Sequence, residues 1–329
     1  MHEHTWVVVL AAGEGKRLSA LTADDAGRHV PKQFCSLQGG PSLFGLALAR
    51  ARSLVPEARV CAVVAKGHEP WWRPIAEEAH PGNLIVQPRN RGTGNGVLLA
   101  LAYILKRDPE ARLVFLPADH HVLEEDVLIE TMRTALTAMP AGSGDIHLLG
   151  IEPECADPEL GYIIPQKTAQ PAARGVRHFV EKPSRAVADK LIEQGGLWNS
   201  GIFAVEGGRL LELFMERFPE NTREISALAA KIGDPTHPSW ALSHLYERLC
   251  DVDFSHHVLQ LHVADLRVIP VAHCGWSDLG TPQRVAERVK LLAGNVFGAN
   301  GASAAAAFLD LTSAVMRADA RENIALATG

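Results

Sequence analysis

Cysteine is scarce in this 329-residue chain, and its placement excludes two kinds of site. The five, Cys35, Cys61, Cys155, Cys250 and Cys274, are odd in number, widely scattered and never form a CxxC pair. Such a set builds neither a disulfide framework nor a zinc ribbon, and it fits a reducing compartment, so the expected location is cytoplasmic. Long apolar runs are missing as well. The opening "MHEHTWVVVLAAG" has no basic leader, and its apolar run is far shorter than the roughly 20 residues of a membrane span. Positive charge is not in excess: 32 Lys and Arg stand against 38 Asp and Glu, a formal net charge of -6. Neither nucleic acid nor an anionic membrane is therefore expected as a partner, and any basic site for a phosphorylated ligand must be local. No low-complexity linker divides the chain, and no internal repeat is visible.

What is present reads as an ordinary globular composition, 47% hydrophobic and 21% charged, with enough length to bury a large core. The runs "TWVVVLA" (5–11), "ARVCAVVA" (58–65), "NLIVQ" (83–87) and "ARLVFLPAD" (111–119) are apolar on both faces, as in strands of a parallel sheet covered by helices. Helical patterns at 42–55, 69–79 (interrupted by Pro74), 94–107 and 124–139 lie between them. This alternation predicts an α/β fold with a Rossmann-like, doubly wound sheet. After about residue 145 the rhythm changes. Strands are expected at "DIHLLGI", "GYIIPQ", "GVRHFVEKP", "LWNSGIFAVE" and "DLRVIPV", with helices at 207–217, 222–232, 239–249 and 282–294. The expected organisation is one mixed-sheet domain over 1–294, with a first half to about 145 and a second half over about 146–294. An Ala-rich tail or small accessory element follows at 295–329.

Chemistry concentrates first in "VVVLAAGEGKRL" (7–18). Small residues at Ala11, Ala12 and Gly13 let backbone N–H groups approach a ligand, and Lys16 and Arg17 add positive charge. The residue five before Gly15 is Leu10 and Arg17 follows Lys16, so the loop is not a P-loop. The third position of a dinucleotide fingerprint is Leu18, which removes that reading too. Downstream, "FLPADHH" places Asp119 just past a buried strand, at the edge where open α/β sheets bind ligands. A carboxylate there suits Mg²⁺, which takes a few carboxylate oxygens plus phosphates and water. In "FVEKP", Lys182 offers a compact charge for a phosphate and Glu181 an acceptor for hydroxyls. In "WNSGIF", Asn199 can both donate to and accept from a hydroxyl pair.

These segments, in this order, resemble the sugar-1-phosphate nucleotidylyltransferases. "GEGKRL" followed by "VPKQF" (30–34) matches their loop-plus-PK signature, and PKQF looks like the mannose-1-phosphate guanylyltransferases. "QPRNRGTGNG" resembles their nucleotide loop, with Gly92 and Asn95 standing where Asn and Pro are usual. "GYIIP", "FVEKP", "WNSGIF" and "GWSDLGTP" follow, whereas "DFSHHVL" (253–259) matches its counterpart only weakly. The resemblance covers residues 5–292 and implies transfer of a nucleotidyl group from an NTP, GTP by preference, to a sugar 1-phosphate such as mannose 1-phosphate. The products would be an NDP-sugar (GDP-mannose, for polysaccharides) and pyrophosphate. It implies Leu10, Ala11, Ala12, Gly13, Gly15, Lys16, Gln87, Arg91, Thr93 and Gly94 around the nucleotide. Arg17, Lys32 and Lys182 would act in catalysis, Gly161, Glu181, Lys182 and Asn199 around the sugar phosphate, and Asp119 with Asp278 on Mg²⁺. Another NTP or hexose phosphate, or a catalytically weak subunit that senses sugar nucleotides, stays open, as does a homo-oligomer. The missing DxD disfavours a glycosyltransferase.

Overall fold

Strand β1 (Thr5–Ala11) shows how the chain builds its core. Val7, Val9 and Ala11 point to one side of the sheet and Trp6 and Val8 to the other, and all five are buried. A strand with no polar face must lie inside a sheet covered on both sides. The computed structural model describes residues 3–296, except 16–17, 20, 23–28, 38–39, 78–82, 168–171, 230 and 233–239, with the backbone alone for 293–296. Lys16 and Arg17 of the opening loop, and the tail beyond Val296, lie outside the described residues.

The described strands form one nine-stranded mixed sheet. Besides β1 these are β2 (Val60–Ala65), β3 (Leu84–Gln87), β4 (Arg112–Pro117), β5 (Ile146–Ile151), β6 (Tyr162–Pro165), β7 (Arg174–Val180), β8 (Leu197–Glu206) and β9 (Leu266–Pro270). Their order is β3-β2-β1-β4-β8-β5-β9-β7-β6. The first four run parallel, as the apolar runs predict, and β8 enters antiparallel to both β4 and β5. The sheet therefore continues without a break from the first half of the chain into the second.

Helices α1 (Leu43–Arg52) and α4 (Glu125–Thr137) cover one face, and α3 (Gly92–Leu105) and α6 (Gly207–Arg217) the other. Between them in the chain lies α2 (Glu69–Ala76), which carries Pro74 inside it. Helix α3 is apolar around its whole circumference because it is sandwiched between the sheet and α6 and α7 (Pro219–Ala229). Arg50 of α1, almost wholly buried, makes a forked pair with Glu125 of α4 at 2.7 Å on each arm. Helix α5 (Arg185–Glu193) fills the β7–β8 connection, where the sequence pattern suggests only a short link. It buries just Ala188 and Leu191, too few anchors for a clear helical period. Helices α8 (Trp240–Arg248), α9 (Phe254–His257) and α10 (Pro282–Val296) complete the set. No helix among the described residues is long and apolar enough to cross a membrane, and all five cysteines are free thiols.

The parallel strands end together, at Ala11, Ala65, Gln87 and Pro117, and the chain leaves them as loops along one edge. Across the core, Phe203 of β8 stacks between Phe115 of β4 and Phe254 of α9, with centroids 4.8 and 4.7 Å away. This column joins the sheet to the segment that closes the edge. Phe203→Ala is expected to lower unfolding free energy by about 3–5 kcal/mol, read as a shifted midpoint at unchanged slope in urea titration.

Candidate active site

A cleft of about 320 Å³ opens at that edge, lined by Leu10, Ala12, Gly13, Gln33, Gln87, Gly92, Thr93, Pro117, Asp119 and Asp253 among others. Its floor is the loop after β1. Gly15 adopts φ +61°, and a side chain there would press on the Lys32 backbone. The loop is pinned from below by Gln33, whose buried amide donates to the carbonyls of Ala11 and Gly13, both at 2.8 Å. With those carbonyls occupied, the loop keeps its small-residue face toward the cleft. Gln33 lies inside "PKQF", yet its role is visible only once the fold brings that segment under the loop.

Lys32 is the centre of the site. It is 8% exposed, and its ammonium sits 2.7 Å from the Asp119 carboxylate and donates to the Asp278 carbonyl at 2.6 Å. Burial pushes the Asp119 carboxyl up, but the Lys32 ammonium outweighs it and holds the group below the usual carboxylate range. His120 is itself pushed down to about 4 by burial, so it is neutral. Its Nδ1 accepts from the Trp276 indole at 3.3 Å, and backbone bonds pair His121 with Ser277. The 119–121 and 276–278 segments, far apart in the chain, are thus locked together. The Asp278 carboxylate accepts from the Gly280 N–H at 3.1 Å and pairs with Arg284, which also pairs with Asp157 and lies 5.5 Å from the Trp198 ring centre.

The donors suit a hard divalent cation such as Mg²⁺ at Asp119, which keeps about a third of its side chain exposed on the cleft. Among the described residues no group of three His, Cys, Asp or Glu is placed to hold a metal, so phosphate oxygens would have to supply further ligands. Asp278 fits less directly, because its carboxylate would have to exchange Arg284 for the ion.

The nucleotide loop of the sequence is bound up with a second segment. Gln87 donates to the Tyr246 hydroxyl at 2.9 Å. Arg91 turns its guanidinium onto the carbonyls of Tyr246 and Glu247 and toward Asp251. Thr93 accepts from Phe254 N–H, Gly94 donates to the Val252 carbonyl, and Asn95 donates to those of Arg91 and Cys250. Gln87 and Thr93 still face the cleft. The polar groups of Arg91 and Gly94 are committed to anchoring, and a nucleotide contact would require them to let go. The unusual residues follow from the same packing. A side chain at Gly92, which has φ +81°, would lie 2.3 Å from the Val252 carbonyl, and one at Gly94 2.4 Å from the Val252 side chain.

On the far side, Asn199 N–H donates to the Gly161 carbonyl at 2.8 Å, bringing "GYIIP" and "WNSGIF" together. The Glu181 carboxylate packs on Gly161, where a Cβ would sit 2.5 Å from its Oε2. That oxygen is buried without a hydrogen-bond partner among the described residues. Lys182, at φ +45°, holds its ammonium 3.9 Å from the other oxygen and is half exposed. Burial, then the neighbouring Asp253 charge, pushes Glu181 up to about 7 against the pull of Lys182.

A model of the nucleotidyl transferase family matches residues 6–293. The chain belongs to this family. Mannose-1-phosphate guanylyltransferase 2 of Escherichia coli O157:H7 is 31% identical over 220 residues, 62% of this chain and 44% of that protein. Mannose-1-phosphate guanylyltransferase of Escherichia coli K12 is 27% identical over 286 residues, 83% of this chain and 57% of its own length. This nucleotidyl transferase thus spans about half the length of the curated relatives it matches. Among solved structures it resembles a mannose-1-phosphate geranyltransferase from Thermus thermophilus, with TM-score 0.73 and 30% identity over 87% of this chain and 79% of that one. A UDP-glucose pyrophosphorylase complexed with UDP-glucose shares the fold at TM-score 0.57 and 15% identity, over 88% of this chain and 99% of that one.

The raised Glu181 makes the stability of this nucleotidyl transferase depend on pH. Its folded value of about 7 exceeds the ordinary 4.5, so between them the folded state binds more protons than the unfolded one. Stability from this group therefore falls as pH rises through that window, by at most about 3 kcal/mol. In thermal unfolding, Glu181→Gln is expected to match the wild type near pH 4.5 and to exceed it in Tm at pH 8; equal Tm at both would refute the burial effect.

Proposed function

We propose that this nucleotidyl transferase moves a nucleotidyl group from GTP to mannose 1-phosphate, giving GDP-mannose and pyrophosphate. The observation that carries the reading is Lys32, buried between the Asp119 carboxylate and the Asp278 carbonyl at the mouth of the cleft. In this reading the Leu10–Gly13 backbone, Gln87 and Thr93, which line the cleft, take the nucleotide, and the cluster of Gly161, Glu181, Lys182 and Asn199 takes the sugar phosphate. A cation between a nucleotide-sized cleft and a hydroxyl-reading patch suits a reaction that joins two phosphates. The names of the Escherichia coli relatives supply the choice of GTP and mannose.

In this reading a phosphate oxygen of the sugar 1-phosphate attacks the α-phosphorus of the NTP. The bond from that phosphorus to the bridging oxygen breaks, and pyrophosphate leaves with the electron pair. A phosphate monoester is already ionised near neutral pH, so positioning and charge neutralisation do the work of a base. Lys32 neutralises charge at the junction, and Arg17 would meet the leaving phosphates. Lys182 orients the attacking phosphate, while Glu181, Asn199 and the Gly161 backbone read the sugar. The Ala11–Gly15 loop cradles the triphosphate, Lys16 would add positive charge for it, and Gln87 and Thr93 face base and ribose. Asp119, joined by Asp278 when it exchanges Arg284, would hold Mg²⁺, which supplies Lewis-acid polarisation of the phosphoryl oxygens.

Pyrophosphate release across a matrix of NTPs and sugar 1-phosphates tests the proposal, with GTP and mannose 1-phosphate expected to give the highest kcat/KM. Release from no pair would instead favour a sugar-nucleotide sensor. Lys32→Gln should lower kcat by about 10²-fold if the ammonium acts on the transferring phosphate, and a variant within twofold of wild type would remove it from that role.

A further inference from the structure

The stretch "DFSHHVL" matches its family counterpart poorly, yet the fold gives its first residue a place in the cleft. Residues 246–254 cross the nucleotide loop as a strap. It is held by Arg91 on the Tyr246 and Glu247 carbonyls, by the exchange of backbone bonds between Arg91–Gly94 and Val252, and by Phe254 N–H on Thr93. Phe254 anchors its end in the aromatic column. The strap is too tightly bound to be a passing loop: Gly92 and Gly94 have no side chain because Val252 occupies that space.

This packing sets Asp253 on the wall of the cleft, within electrostatic reach of Glu181. It lines the cavity with Gln87, Gly92, Thr93 and Asp119. One carboxylate oxygen caps α9, accepting from His256 N–H at 2.9 Å, and its second oxygen has no hydrogen-bond donor among the described residues. Its charge also raises Glu181.

Building on the function proposed above, we infer that Asp253 is a specificity-determining residue that accepts a hydrogen bond from a substrate hydroxyl at the junction of nucleotide and sugar. A carboxylate is an acceptor only, so it rewards a hydroxyl and repels a phosphate at that point. The same junction admits two sources, the ribose diol of the nucleotide and a ring hydroxyl of the sugar. Glu181, one buried oxygen of which has no hydrogen-bond partner among the described residues, takes a neighbouring hydroxyl.

Equilibrium binding tests this independently of turnover. GTP, 2′-deoxy-GTP, 3′-deoxy-GTP, mannose 1-phosphate and its monodeoxy analogues are titrated into wild type, Asp253→Asn and Asp253→Ser by calorimetry. Both variants keep a side-chain cap for α9, so folding is preserved and Tm checks it. The expected result is a loss of about tenfold or more in affinity for one of the two parent ligands in Asp253→Ser, the cost of a hydrogen bond to a charged group. The matching deoxy analogue should bind wild type and variant alike. A deoxyribose match assigns the contact to the nucleotide, and a deoxymannose match to the sugar. Parent ligands that bind both variants as tightly as wild type overturn the role of Asp253. A wild type that binds neither parent ligand overturns the substrate reading itself, and with it this contact.

Discussion

The contact on which the site depends is the buried ammonium of Lys32 between the Asp119 carboxylate and the Asp278 carbonyl. An ammonium 8% exposed must be paired, because an uncompensated buried charge costs several kcal/mol. Its partners come from the end of β4 and from the loop before α10, more than 150 residues apart in the chain. Holding Lys32 therefore obliges the two ends of the domain to meet. The bond from His120 to Trp276 and the backbone pairing of His121 with Ser277 are the scaffolding for that meeting. Gln33, one residue on, extends the same constraint to the loop after β1.

Much of this is legible in the sequence, for physical reasons that differ by element. Strands β1, β2 and β4 announce themselves because both faces are buried, which leaves an unbroken apolar run. Strand β8 can be read to its last residue, since "LWNSGIFAVE" is bounded by glycines on both sides. Helices α5 and α9 escape such a reading. The first buries two side chains and the second is four residues long, so neither carries a period to detect. The site motifs can be placed at strand ends by rule, but the partners of their side chains cannot.

Arg91 and Asp278 show why. The family resemblance implies a nucleotide contact for the Arg91 guanidinium and a metal for the carboxylate in "GWSD". In the structure Arg91 finds backbone carbonyls of the strap and Asp278 finds Arg284. Both pairings are set by which segment the fold brings beside the residue. The same holds for Gly92 and Asn95, which look like departures from a family pattern until Val252 and the Cys250 carbonyl are placed against them.

The strap also carries a charge from the nucleotide loop toward the Glu181 patch. The nucleotide loop and the Glu181 patch lie on strands separated by several others in the sheet, β3 at one edge and β7 near the opposite one. Strand β6 also pairs with β8, which folds the Glu181 patch back toward the middle of the sheet. Residues 246–254 bond to Gln87–Asn95, and the Asp253 charge among them is felt at Glu181. A substitution that loosens the strap acts on both halves at once, whereas one that loosens Lys32 acts on the junction between them. The division of labour follows from the chemistry of the two contacts, neutral backbone bonds where only position is needed and a buried ion pair where phosphate charge must be met.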